Sequence, residues 1–303
     1  MTARLSRLYP FIDSNGVVIE KKNIFVNMNS KNSILLVDPD FDVNSAINCD
    51  LLIKITADNF SYAIIDEAEN RLVLLYDQQE CPNVKDALAH QLNNDEHLAI
   101  AFQSVKTSVQ TPNAITIPNE FYDVANLNSY AQFFSVEQSK QLHSQHLAGR
   151  DFTSIFNLDQ SIEELLTSKF EEPKLYDHTA PLLTLAADSN DKTLMMDFTV
   201  GSVNVVLTDG NKLIFQNCYE TDDAGEFTYY LLLMIHQLEI DTAFTKVLVS
   251  GIIHEDDKKY AAIKQYFTEI SFNGHKAKRL GGDILEDMPN QYYSTLLALQ
   301  LCE

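Results

Sequence analysis

Residues 52–64 and 195–207 run alongside one another at a fixed spacing of 143 (195 − 52), and that spacing narrows the folds open to the chain. Leu52 meets Met195, Ile53 meets Met196, Lys54 meets Asp197, Thr56 meets Thr199, Ser61 meets Asn204 and Ile64 meets Leu207. Beyond the next turn the spacing becomes 141 (211 − 70), where Asn70-Arg71-Leu72-Val73 meets Asn211-Lys212-Leu213-Ile214. Each copy reads as a buried strand, a turn of small residues, an alternating hairpin and then a helix. The second hairpin is marked by Asp209-Gly210-Asn211 between alternating runs at 202–208 and 212–218, since Asp-Gly readily takes the positive φ of a tight connection. Alternation alone is generic to hairpins. Its ordered continuation into a helix makes internal duplication the expected architecture.

The remaining pattern fills in around these copies. We expect an extension over 1–47, a first half over 48–180 and a second over 181–303, with short strands at 16–19 and 33–37 pairing against a sheet edge. In the first half, strands are expected at 51–56, 60–66, 71–76, 105–109, 114–117 and 152–158, and helices at 84–92 and 137–147 and after Pro118. Ser161 and Glu164 have capping-box spacing for a helix to Phe170, and Thr179 with Pro181 suits the start of another at 182–187. In the second half, 226–238 is apolar nearly all round, which predicts a helix buried between layers. A strand at 246–250, a helix from Asp256 or Asp257 to about 267 and a closing helix at 291–301 complete the expectation.

Charge excludes several functions. A net charge of −21 opposes wrapping a phosphate backbone or lying on an anionic membrane, so neither nucleic acid nor membrane insertion is expected. Cys49, Cys81, Cys218 and Cys302 form no CxxC pair, which suits reduced thiols in the cytoplasm rather than a disulfide framework or zinc site. His236, His254 and His275 supply no HExxH pattern, and GxSxG, P-loop and GxGxxG signatures are absent.

A strand ending on Asp197, a turn through Thr199 and Gly201, and then a hairpin resemble the second phosphate loop of the actin-like ATPases, notably the pilus-assembly and cell-division members. More narrowly, DLLIKITADNFSYAIID, AITIPNEFYD and GEFTYYLLLMIHQLEIDTAFTKVLVSG resemble an uncharacterised Bacteroidetes family with that fold, over about residues 48–303. The resemblance implies an α/β, ribonuclease H-like fold in two related domains around a cleft, with ATP and magnesium as the cofactors to test. It places candidate nucleotide or cleft residues at Lys54, Thr56, Asp58, Asp197, Thr199, Gly201, Ser202, Ser250 and Gly251.

Each of these has a plainer reading. Lys54 stands where the second copy has Asp197; it can meet a phosphate as a point charge or serve as a strand residue at the surface or paired to a carboxylate, but it cannot hold Mg²⁺. Asp197 is either a turn-capping carboxylate or a nucleotide contact. The first turn, Ala57-Asp58-Asn59, contains no glycine for close approach to phosphate, and Ile252 follows Gly251 where the superfamily pairs glycines. Two functions remain. One is a scaffold binding a protein partner, with nucleotide weak or lost and no ATP turnover; the other is an active ATPase or small-molecule kinase with diverged loops.

Overall fold

A computed structural model describes residues 25–27, 32–42, 47–134, 141–147, 149–186, 191–221, 223–274 and 284–302. Its first strands are β1 (Phe25–Asn27), β2 (Ser33–Val37), β3 (Cys49–Ile55), β4 (Phe60–Asp66) and β5 (Arg71–Gln78). Helix α1 (Val84–Asn94), β6 (Ser104–Val109), β7 (Ala114–Pro118), β8 (His143–His146), β9 (Phe152–Phe156), α2 (Gln160–Lys169), β10 (Lys174–Asp177) and α3 (Ala180–Leu185) follow. The remainder comprises β11 (Lys192–Phe198), β12 (Ser202–Asp209), β13 (Lys212–Glu220), α4 (Ala224–Gln237), β14 (Lys246–Gly251), α5 (Lys258–Tyr266), β15 (Ile270–Phe272) and α6 (Ser294–Ala298).

Two sheets dominate. The first has the order β1-β2-β5-β4-β3-β6-β10 and the second β13-β12-β11-β14-β15. In both, an antiparallel meander of three strands is followed by two parallel strands on the side of its first strand. Both meanders also carry a bulge at the same step, between Ile64 and Ile65 and between Leu207 and Thr208, which leaves Val73 and Ile214 as the extra residues. The strand at 33–37 pairs antiparallel with β5, as its alternation predicts. A smaller sheet, β7-β9-β8, is inserted between β6 and α2.

Side-chain alternation sorts the core into layers. Leu51, Ile53 and Ile55 pack outward with Leu88 and Leu92 of α1 and Leu166 of α2. Leu194, Met196 and Phe198 pack outward on the other sheet with Phe227, Leu231 and Met234 of α4 and Ile263 of α5. Leu52 and Met195, one residue out of phase, share a third cluster with Leu182 and Leu183 of α3 and Leu296 and Leu297 of α6. The sheets therefore enclose α3 and α6 between them and carry the longer helices on their outer faces.

Several expectations need correction. Within 137–147, His143–His146 is a strand, because its backbone pairs with β9, and residues 135–140 lie outside the described set. Helix α4 covers an outer face rather than lying between layers; Phe227, Leu231 and Met234 are buried while Tyr229 is 62% exposed. Asp159, not Ser161, caps α2, accepting from the Ser161 and Ile162 amides. Pro118 leads into a short 3₁₀ turn over 119–121 and a ten-residue 3₁₀ stretch over 124–133, not an α-helix. The closing helix is only Ser294–Ala298 plus a 3₁₀ turn. The strand expected at 16–19 lies outside the described residues.

Candidate functional site

Lys54 and Asp197 occupy the inward-facing phase of β3 and β11, the same phase as Leu52 and Met195. They face each other across the space between the sheets. Lys54 Nζ lies 2.5 Å from Asp197 Oδ2 and donates to Thr295 Oγ1 at 2.8 Å, while the Thr295 hydroxyl donates to Asp197 at 3.2 Å. The residues aligned by the 143-residue spacing are thus ion-paired to one another. The side chains are 13% and 5% exposed, so this pair is largely removed from water. Low dielectric raises both its attraction and the cost of losing one partner.

The two turns beyond these strands are built alike. Thr56 N–H donates to Asn59 O at 2.8 Å, and Thr199 N–H donates to Ser202 O at 2.9 Å. In return the Asn59 amide donates to Thr56 Oγ1 at 3.2 Å and the Ser202 amide to Thr199 Oγ1 at 2.9 Å. Four backbone donors and two hydroxyls are therefore engaged inside the turns. Ala57 N–H is taken by the Gln110 side chain at 3.1 Å. Asp58 packs against Gly201, where a Cβ would lie 3.0 Å from its carboxylate oxygen. At Gly201 the opposite turn is met through the Asp58 side chain alone, with no backbone contact.

Gly251 closes the arrangement at the end of β14. Its φ of +81° is left-handed, and a Cβ there would lie 2.7 Å from the Phe198 nitrogen. Its amide donates to Gln291 O at 2.8 Å, and Gln291 Nε2 donates to Ile253 O at 2.9 Å, so residues leading into α6 are tied to this turn. Ser250 stands apart: it is fully buried in the sheet and its hydroxyl reaches Met196 O at 3.4 Å.

Lys54, Asn59, Thr199 and Ile252 line the space that remains, with Asp77, Gln79, Tyr293 and Thr295. Its volume is about 10 Å³, room for about one water molecule. Asp197 already accepts from an ammonium and a hydroxyl, and the Lys54 charge beside it opposes a bound cation. In this arrangement the space, about one water molecule in size and flanked by the Lys54 ammonium, does not admit Mg²⁺ with its ligands or a nucleoside triphosphate.

Asp77, Tyr293 and Thr295 were not singled out from sequence. Asp77 ends the alternating run RLVLLYD two residues after inward-facing Leu75, a phase signal that was available; Thr295 carried none. Burial lifts the Asp77 carboxyl from 3.8 to about 6, against the opposing hydrogen bonds from Gln79 and Tyr293. Because the folded value is raised, its stabilising contribution is complete below about pH 4 and is lost as pH rises through 6. Replacing Asp77 with Asn should therefore stabilise the protein at pH 8, by at most roughly 3 kcal/mol, and have little benefit at pH 4. The Gln79 Oε1, buried without a partner, can accept from the introduced amide after a flip. Urea unfolding at both pH values checks this; an equal effect at each would rule out the titration.

Among the described residues, no group of three or more His, Cys, Asp or Glu is placed to hold a metal ion, and no helix is long and apolar enough to cross a membrane. Among solved structures, a Bacteroides thetaiotaomicron protein with an actin-like ATPase fold and unknown function is similar over 87% of this chain and 99% of its own, at 15% identity and a TM-score of 0.68. The PilM–PilN type IV pilus biogenesis complex gives 11% identity, a TM-score of 0.49 and coverage of 83% and 97%. The cytoplasmic domain of EpsL, an inner-membrane component of the Vibrio cholerae type II secretion system, gives 10% and 0.45 with coverage of 84% and 94%. No curated protein matches the sequence. The model of one family matches residues 38–270, most of the meander-and-helix framework described above, and the chain belongs to that family, described as a protein of unknown function (DUF3822), with an actin-like ATPase fold.

Proposed function

We propose that this chain is an actin-like scaffold that binds a protein partner in the cytoplasm and has given up nucleotide chemistry. In this reading the two sheets are the related halves of a duplicated fold, and the seam between them is the former phosphate site. The Lys54–Asp197 pair carries the proposal: it neutralises the carboxylate that would face a metal and ties the halves together where a phosphate would need space. Phosphoryl transfer depends on a metal and preorganised donors aimed at the developing charge. Here the turn amides of Thr56, Asn59, Thr199 and Ser202 bond within their own loops. The matching strand orders and matching bulges support the duplicated reading.

Isothermal titration with Mg-ATP, together with a phosphate-release assay, tests this. The expected result is no saturable heat and no release above the protein-free blank. Saturable binding, or release that disappears in Asp197→Ala, would restore an ATPase or kinase reading.

A further inference from the structure

Strand β13 ends its sheet, and none of its residues is buried, in contrast to β5, whose central six residues are. The difference has a simple origin: β5 is covered by β2, which pairs with Leu74–Gln78 just beyond the bulge at Val73. On β13 the corresponding stretch is 215–219, just beyond the bulge at Ile214, and no strand covers it among the described residues.

The edge has a defined hydrogen-bonding parity. Thr221 N–H donates inward to Gly201 O on the β12 side. By antiparallel alternation, Gln216, Cys218 and Glu220 direct their backbone groups outward. The Cys218 amide bears this out, since it is satisfied by the adjacent Asn217 side chain at 2.9 Å rather than by another strand. On β5 the same parity is used, with Gln79 N–H donating to Asn32 O and Asp38 N–H to Val73 O.

We propose that β13 pairs antiparallel with β13 of a second copy of this chain, with the two-fold axis at Asn217, joining the two five-stranded sheets into one of ten. That register sets Phe215 opposite Tyr219 of the second copy on the face that packs against α4, and Gln216 opposite Cys218. Aromatic pairs directly across a ladder are among its stabilising contacts. Tyr219 already stacks on Tyr230 at 4.5 Å, and Tyr230 meets the exposed Tyr229 at 5.5 Å, so each new pair extends an existing aromatic cluster. The antiparallel sense also brings the Lys212 end of each strand beside the Glu220 end of the other, a charge match that a second copy supplies by symmetry. Whole-molecule charge works the other way. Two chains of −21 repel, so association strengthens as salt screens them.

Sedimentation velocity over a concentration series, at low and high salt, tests the pairing in the full chain and in two variants. Gln216→Pro removes an outward amide without touching the β12 ladder, and Asn217→Lys sets like charges on the axis at an exposed position. The expected result is a dimer of the native chain that is favoured by salt, with its dissociation constant raised about tenfold or more in both variants. A native chain that stays monomeric at every concentration and salt level overturns the proposal. So does a dimer of unchanged affinity in Asn217→Lys, whose folding is verified by circular dichroism and which decides the matter if Gln216→Pro does not fold.

Discussion

Replacing Lys54 with alanine is expected to destabilise the protein by about 3–5 kcal/mol, because it leaves the Asp197 carboxylate buried with only the Thr295 hydroxyl for company. Asp197→Ala should cost a similar amount by stranding the ammonium. The pair itself is a different matter. Both positions are in phase with Leu52 and Met195, which pack in the apolar cluster between the sheets, so Lys54→Met combined with Asp197→Leu should recover much of either loss. Exchanging the charges, Lys54→Asp with Asp197→Lys, should also lose less than either single change, since Thr295 can both donate and accept. Guanidinium unfolding of the singles and doubles gives the coupling energy. Single losses below about 1 kcal/mol would mean the pair behaves as a surface ion pair.

Gly251→Ala is the other change with a large expected effect, about 2–5 kcal/mol. A left-handed φ costs a side chain roughly 1–2 kcal/mol, and a Cβ forced against the Phe198 backbone adds an overpacking cost of about 1–3 kcal/mol. The Ile252 amide donates to Phe198 O at 2.8 Å, so neither backbone can retreat without breaking that bond. Gly201→Ala is the informative contrast. No positive φ constrains it, and its Cβ would meet only the Asp58 side chain, which can shift. Thermal unfolding should therefore show a fall for Gly251→Ala several times that for Gly201→Ala; equal falls would contradict this account of the two glycines.

Local signals made much of the framework legible. The meanders at 49–78 and 192–220 declare themselves through alternation and through turn residues that break it, and α1, α2, α4 and α5 through helical periodicity. β10 and β15 escaped notice because four and three residues hold too little pattern to distinguish a strand from a loop. The placement of α4 failed for a different reason. An all-apolar helix says how much surface could be buried, not how much the fold covers, and here only one stripe meets the sheet. At the candidate site, the spacing aligned Lys54 with Asp197, and pairing to a carboxylate was one reading of the lysine. That its partner is its own counterpart depends on the sheets facing each other, which no local pattern encodes. Thr295 lies 98 residues from Asp197 in sequence and 241 from Lys54.

Those separations govern how the polypeptide can reach its native state while being synthesised. Lys106 Nζ donates to the carbonyls of Gln300 at 2.8 Å and Cys302 at 2.7 Å, Lys54 to Thr295, and Leu52 shares its cluster with Leu296 and Leu297. The outer face of the first sheet can fill from residues close by, but its inner face, which α3 covers in part, is completed only when residues 291–302 have left the ribosome. Contacts of such span form late, after the entropy of closing long loops has been met. A nascent chain stalled before residue 290 would carry a half-covered sheet with a buried-type lysine in water, a species for chaperones to hold and not one able to finish folding alone.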